Sequence, residues 1–329
     1  MKALIIGLGS MGKRRIRNLL ALGYRDIVGY DPREDRIKEV EKSYAVRPCL
    51  SITEAFETDP DMVIISTPPN HHLEYALIAL NYGKHVFIEA SAIDDGLEKL
   101  LNRDKDFSLV IAPSCTMRFH PAVKTIKSLI ESSEVGRVLA FTHHFGQYLP
   151  KWHPYEDYRT FYVSDPLAGA TVELVAFELV WLTWILGVPS KVSAFKGKIG
   201  SLDNKIDDLY QVIMEFHGAC IGHLQVDILQ RTGNRSSVFV CSDGNISWDW
   251  DEPHVTVKYP DGKSKVILNQ YTSNSLEGFY IDEMEAFINA TQGKSTWKYS
   301  VNDDRINLAL LSKIQESAET GRHIDFSID

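Results

Sequence analysis

MKALIIGLGSMGKRRIRNLLALGYRDIVGYDP, residues 1–32, reads as strand, glycine turn, helix and strand in succession. Residues 2–6 are a short apolar run rich in β-branched side chains, as a buried strand requires. Gly7-Leu8-Gly9-Ser10-Met11-Gly12 follows as G-x-G-x-x-G, and Met11, Ile16, Leu19 and Leu20 then recur at helical spacing. A second strand at 26–30 ends in Asp31, 19 residues after Gly12. Gly7 permits a tight turn out of the strand, Gly9 lets backbone approach a pyrophosphate, and Gly12 lets the helix pack close to the sheet. The helix N-terminus, carrying Ser10 and Met11, turns unpaired N–H groups and a positive dipole end towards phosphates. Asp31 stands where an acid can accept both ribose hydroxyls of an adenosine. The stretch is therefore read as a dinucleotide site. Asp31 favours NAD over NADP, because a carboxylate repels a 2′-phosphate. The neighbouring Lys13, Arg14, Arg15 and Arg33 are read either as a solvated basic helix face or as a counterweight to that preference.

The rest of the composition narrows the class. The 329 residues suffice for two domains, and 44% hydrophobic residues support sizeable cores. A formal charge of −9 argues against a nucleic-acid or membrane-surface binder. No apolar run approaches the ~20 residues of a membrane span. The N-terminus enters a strand at once, so a cytoplasmic protein is expected. Cys49, Cys115, Cys220 and Cys241 are scattered without C-x-x-C, which fits reduced thiols. No histidine or cysteine spacing suggests a metal site.

Up to about residue 118 strands and helices alternate, predicting a doubly wound, mostly parallel sheet with helices on both faces. Helices are expected at 33–42, 53–56, 72–81 and near 97, with strands at 62–65, 84–88 and 108–111. Asn70 is expected to cap the helix at 72. Ligands in such sheets lie beyond the carboxyl ends of the strands, which puts Thr67, Pro68, Asn70, Glu89 and Ala90 on the cofactor side. A helix opens at Arg118-Phe119-His120-Pro121, and then the period changes to two. Strands are expected at 138–145, 191–197, 209–216, 221–228, 236–241, 245–250, 254–259 and 265–267, divided by turn signals such as Pro260-Asp261-Gly262. The second half is thus an α/β domain with a large, open, mostly antiparallel sheet. Helices at 277–289 and 302–319 close the chain.

The order GLGSMGKRR, STPPNHH, FIEAS, MRFHPAV, EVGRV and a Gly-rich helix before WILG resembles the Gfo/Idh/MocA oxidoreductases. The resemblance covers essentially the whole chain. It implies an N-terminal Rossmann domain over 1–118 and a C-terminal domain over 119–329. The open sheet of the second carries the substrate site and often mediates oligomerisation, giving a homodimer or homotetramer. The helix near 303–319 is free to pack back on the first domain. The resemblance adds His72 and Arg118 to the residues near the dinucleotide, and implies oxidation or reduction of a sugar or nucleotide-sugar hydroxyl. It also exposes departures. The family's Glu-Lys-Pro is here Glu89-Ala90-Ser91, so its proton-transferring lysine is Ala90. Its D-x-x-x-H helix pair falls on Glu173 and Phe177. Alanine and phenylalanine transfer no proton.

A replacement must come from elsewhere. The stretch 146–159, GQYLPKWHPYEDYR, concentrates aromatic, basic and acidic groups in fourteen residues. Compact loops of that make-up are often functional, the alternative being a structural Ω-loop. His153 is the first acid/base candidate, because its unperturbed pKa is near 6.5. Tyr148 and Tyr158 come second. Trp152, Tyr155, Asp157 and Arg159 are candidate substrate contacts. Glu173 is a further acid/base candidate, weighed against a salt bridge to Arg118 or Arg159. Glu178, five positions later, points about 140° away and is expected to pair elsewhere. His143 and His144 face opposite sides of their strand and are read as satisfied sheet residues. These features give an NAD-dependent oxidoreductase with non-standard proton transfer. The alternatives are a dinucleotide-binding sensor or scaffold, and a redox-neutral sugar epimerase or lyase.

Overall fold

The computed structural model describes residues 1–94, 96–104, 109–152, 154, 156–268 and 277–328. β1 (Ala3–Ile6) is buried along its whole length, which a central strand of a two-sided sheet requires. The chain continues through α1 (Ser10–Ala21), β2 (Ile27–Tyr30), α2 (Glu34–Tyr44), β3 (Arg47–Cys49), α3 (Ile52–Glu57), β4 (Met62–Ile65), α4 (His72–Asn81), β5 (His85–Ile88), α5 (Leu97–Asp104) and β6 (Ile111–Pro113). The six strands are all parallel, in the order β3-β2-β1-β4-β5-β6. Alternate residues of β1 serve two cores: Ala3 and Ile5 pack with Ile16, Leu19 and Ile37, whereas Leu4 and Ile6 pack with Phe56, Ala76 and Leu80. Helices therefore cover both faces, as the alternating pattern predicts.

Three local expectations need correction. The strand β3 was not anticipated, because Pro48 argues against a strand; only an edge strand tolerates it. The strand expected at 108–111 begins at Ile111, and residue 108 lies outside the described residues. Asn70 does not cap α4. A 3₁₀ turn, Pro69–His71, intervenes, and the cap position falls on His71, which makes no side-chain cap hydrogen bond.

The second part of the chain contains α6 (Pro121–Glu131), β7 (Val138–Tyr148), α7 (Leu149–Trp152), α8 (Ala170–Leu186) and seven further strands. These are β8 (Lys191–Gly197), β9 (Leu209–Phe216), β10 (Cys220–Asp227), β11 (Leu229–Cys241), β12 (Asn245–Asp249), β13 (His254–Lys258) and β14 (Ser264–Leu268). With β15 (Ile324–Asp325) they form one sheet ordered β14-β13-β12-β11-β7-β10-β9-β8-β15. Every neighbouring pair is antiparallel except β7 and β10. One face turns buried side chains such as Phe141, Val212, Leu224, Phe239 and Trp248 inward; the other leaves Phe195, Ile213, Ile221, Val238 and Val266 exposed. β7 runs three residues beyond its expected end, because Gly146 pairs with both Asp227 and Asn234. Tyr148 is therefore a strand residue and not part of a loop.

α9 (Gly278–Thr291) and α10 (Val301–Thr320) follow. By its contacts the chain divides into two units, residues 1–116 with 277–305, and 117–276 with 306–329. α9 thus belongs with the parallel sheet: its Met284, Phe287 and Ile288 join the core of Ile5 and Phe87. No helix among the described residues is long and apolar enough to cross a membrane. Among them no group of three or more His, Cys, Asp or Glu side chains could hold a metal ion.

Candidate functional site

The first unit builds a cradle where strand order reverses between β1 and β4, the place at which such sheets bind ligands. Gly7 adopts φ +90°, and a Cβ there would stand 2.6 Å from the Ser66 carbonyl oxygen. A Cβ on Gly12 would stand 1.9 Å from the Gly7 carbonyl oxygen, so the turn closes only on glycine. A Cβ on Gly9 would meet nothing nearer than the Arg36 guanidinium, at 3.4 Å. α1 starts at Ser10 and Met11 with no side-chain cap and no acid in its first turn, which leaves its N–H groups available to an anion.

Asp31, only 3% exposed, closes one side of this cradle. Leu8 N–H donates to its Oδ2 (2.8 Å) and Arg33 N–H to its Oδ1 (2.9 Å), which fixes the carboxylate against the glycine turn. Arg36 Nη1 lies 3.5 Å from Oδ2. On the other side Thr67, Pro68 and Asn70 follow β4. His72 Nε2 donates to the Thr67 carbonyl (2.8 Å), so Nδ1 is left as a bare acceptor. That Nδ1 and the Thr67 hydroxyl are buried without hydrogen-bond partners. Burial holds the His72 imidazole down at about 4, so it is neutral at physiological pH. A glycine turn open at Gly9, a fixed carboxylate and two unpaired polar atoms fit a dinucleotide.

Glu89, at the end of β5, has a different employment from the one its position suggested. Arg15 Nε and Nη2 donate to its two oxygens at 2.6 and 2.9 Å, and Ser66 Oγ reaches it at 3.4 Å. Arg15 is fully buried, so the reading of a solvated basic face fails for it. Its Nη2 also donates to Glu283 Oε2 (2.9 Å), and Glu283 accepts from Ser114 Oγ, Cys115 N–H and Thr116 Oγ1. The signal was present in the sequence: Arg15 lies three residues after Gly12 and four before Leu19, on the buried stripe of α1. Ala90 adds only a methyl group next to Glu89.

In the second unit the predicted residues fall into separate groups. Arg118 Nε donates to the Val180 carbonyl (3.0 Å), and its guanidinium lies over Trp184. Tyr148 carries the Arg231 guanidinium 4.0 Å above its ring, and Lys151, beside Trp152 in α7, donates to the Arg231 carbonyl. Asp157 and Arg159 clasp each other at 2.6–3.0 Å on the surface, and Arg159 also reaches Asp203. That clasp holds the Asp157 carboxyl at about 2. The Tyr158 hydroxyl accepts from Asp203 N–H (3.3 Å). His153 and Tyr155 lie outside the described residues. Glu173 sits half-buried in the first turn of α8, where the helix dipole favours a carboxylate.

Glu178 pairs elsewhere, as its angle on the helix predicted. It accepts from Arg235 Nη2 and Trp181 Nε1 and meets His143 Nε2 at 2.8 Å, while His143 Nδ1 meets Ser237 Oγ at 2.8 Å. Burial opposes its charge, but Arg235 and His143 outweigh burial and hold it at about 2. His144, on the opposite face, lies within hydrogen-bond distance of Asp227, Gln225 and Gln230. Arg235, Trp248, Trp250 and His120 surround this centre and were not singled out from sequence, because strands far apart in the chain bring them together.

Comparison with known proteins follows the same division. Residues 1–90 match a family model described as an oxidoreductase family with an NAD-binding Rossmann fold, and residues 123–247 match the GFO/IDH/MocA C-terminal domain. Trans-1,2-dihydrobenzene-1,2-diol dehydrogenase of Bos taurus is 23% identical over 231 residues, 68% of this chain and 64% of that one. Levoglucosan dehydrogenase of Pseudarthrobacter phenanthrenivorans is 37% identical over 98 residues, 29% of this chain and 24% of that one. The matches thus span less than two thirds of these relatives' lengths. The crystal structure of myo-inositol 2-dehydrogenase from Lactobacillus plantarum superposes with a TM-score of 0.83 over 99% of both chains at 17% identity, a likeness of fold.

Proposed function

The chain belongs to the Gfo/Idh/MocA oxidoreductase family, and from that premise we propose that it is an NAD-dependent oxidoreductase acting on a hydroxyl or keto group of a sugar or nucleotide sugar. The observation that carries the reading is the Asp31 carboxylate, fixed by Leu8 and Arg33 N–H groups beside a turn that only glycine can close. Bound there, NAD would supply hydride chemistry. The chain's own part is to hold the phosphates at the start of α1 and the adenosine ribose at Asp31. Thr67 and His72 give further hydrogen bonds, His72 as a neutral acceptor. Proton transfer falls to Glu173, His153, Tyr148 or Tyr158, since Ala90 and Phe177 carry none. The relatives named as acting on levoglucosan and inositol support a polyhydroxylated substrate. A cytoplasmic homodimer or homotetramer completes the proposal, supported by four free cysteines and by the exposed outer face of the nine-stranded sheet.

The test is absorbance in the reduced-nicotinamide band with NAD and a panel of free sugars, cyclitols and nucleotide sugars. NADH fluorescence serves as the control for an intact site. Reduction with one member establishes the dehydrogenase. Tight NADH binding without reduction across the panel overturns it in favour of a sensor or a redox-neutral enzyme, readings that Ala90 and Phe177 favour. Asp31→Ala is expected to weaken NADH binding about tenfold or more and to narrow the preference over NADPH, because it removes the two ribose acceptors. Unchanged affinity for both cofactors would refute the ribose assignment.

A further inference from the structure

Phe177 stands where the family resemblance expects a histidine facing the substrate, and one polar group of this unit lies against its ring. Arg235, on the inner face of β11, has its guanidinium 5.6 Å from the centroid of Phe177, 4.0 Å from Phe145 and 4.9 Å from Trp250. Its side chain is 8% exposed. Nη2 donates to Glu178 and Nη1 faces the Met117 thioether at 3.3 Å, but the buried Nε–H has no acceptor. The indole Nε1–H of Trp248 is likewise buried without an acceptor. The two donors belong to one cluster. Trp248 pairs in register with Ser237, two residues from Arg235, and its ring lies 6.0 Å from Trp250 and 5.2 Å from His120. A buried donor without an acceptor is costly, so two in one cluster call for an oxygen. Phe177, Trp250 and His120 are half-buried, so the cluster reaches the surface.

Charge selects the kind of oxygen. Glu178 already neutralises Arg235. Burial, with Arg235 alongside, pushes the His120 imidazole down to about 3, so it adds no positive charge. A carboxylate or phosphate brought here would meet Glu178, and the other cation felt by His120, Lys124, is exposed to solvent, whereas a hydroxyl or carbonyl oxygen needs only the two N–H groups. His120 already stacks on Trp250 at 5.1 Å between ring centroids, so the half-buried Phe177 is the apolar wall that a sugar ring would meet.

We propose that Arg235 Nε–H and Trp248 Nε1–H are substrate-binding donors that hold an uncharged hydroxyl or carbonyl oxygen of a sugar ring lying beside Phe177. This rests on the reading of the chain as a sugar oxidoreductase and assigns the ring's contact within it. Such donors discriminate strongly against analogues lacking the oxygen.

The test uses the full-length chain with NADH bound and follows tryptophan fluorescence while myo-inositol, levoglucosan, D-glucose or D-glucuronate is added. Arg235→Lys keeps the pairing with Glu178 and removes the Nε–H. Trp248→Phe keeps the ring and removes the indole N–H. Each variant is expected to bind the best neutral sugar about 10- to 100-fold more weakly, the effect of one hydrogen bond, while NADH affinity stays unchanged. D-glucuronate is expected to bind wild type more weakly than D-glucose does. Unchanged sugar affinity in both variants, tighter binding of the uronate, or no response to any neutral sugar overturns the inference. Binding lost in the variants while wild type reduces no NAD sinks the dehydrogenase reading and leaves this one standing. NAD reduction that both variants match does the reverse.

Discussion

At His72 one hydrogen bond decides what a titratable side chain can do. Its Nε2 proton is committed to the Thr67 carbonyl, and burial keeps the ring neutral. The group is therefore a fixed acceptor and not an acid at neutral pH, whatever its place beside the cofactor cradle. Stability registers the same fact. The folded pKa, about 4, lies below the unfolded value of 6.5. The unfolded chain therefore binds the extra proton between these limits. The stabilisation is complete above about pH 6.5 and is lost as pH falls towards 4, a change of about 3 kcal/mol. His120, held at about 3, adds to the loss in the same direction. The melting temperature is expected to fall along this limb, and His72→Gln, which keeps one N–H for Thr67, is expected to flatten it; an unaltered slope would rule His72 out as its source. At this scale much was legible. Gly7, Gly9, Gly12 and Asp31 announce themselves because their meaning lies in spacing along one βαβ unit. Arg15 was misread because a cationic residue in a run of cations looks solvated unless its position on the buried stripe is weighed first.

Between elements, the structure ties α1 to α9 through charge. Arg15 joins Glu89 at the end of β5 to Glu283 on α9, and Glu283 in turn gathers the backbone and hydroxyls of residues 114–116. Removing one member of a buried ionic group leaves the others uncompensated, at a cost of about 3–5 kcal/mol. Arg15→Met is expected to lower the unfolding free energy from urea titration by that amount, and Arg15→Met with Glu283→Gln to recover part of it, because the second change removes one stranded carboxylate. A double variant no more stable than the single one would contradict the coupling. This link was hidden in the sequence, since 268 positions separate its ends. The Arg235 cluster was hidden for the same reason. Strand periodicity placed β12 well but gave only 236–241 of β11 (Leu229–Cys241), leaving Arg235 outside it, and periodicity reports a face, not which neighbours share it. Only register brings Trp248 opposite Ser237 and Arg235 within reach of Trp250.

For the molecule as a whole, the outer face of the nine-stranded sheet carries a row of exposed apolar side chains. Phe195 is 75% exposed and Ile213 44%, and Ile221, Val238 and Val266 share their side. Such a patch needs a cover, and the proposed homo-oligomer supplies one. Ile213→Glu, which puts a charge on a half-exposed position of a central strand, is expected to shift sedimentation towards the monomer with little change in NADH affinity; an unchanged sedimentation coefficient would move the interface elsewhere. The discontinuity of the first unit acts in time. Residues 1–116 are made early, yet the residues that complete their core arrive at 277–305. At roughly 5–20 residues per second, about 8–30 s of synthesis separate the two. Throughout that interval Phe87 lacks its edge-on partners Phe287 and Trp297, and Arg15 has only one of its two carboxylates. Ribosome-stalled chains ending before residue 277 are expected to be cut rapidly by protease within 1–116, and chains extended past 305 to resist. Until residues 277–305 arrive, the newborn chain therefore carries a completed parallel sheet over an unfinished core, an interval in which holding by chaperones, more than the speed of strand pairing, is expected to set its yield.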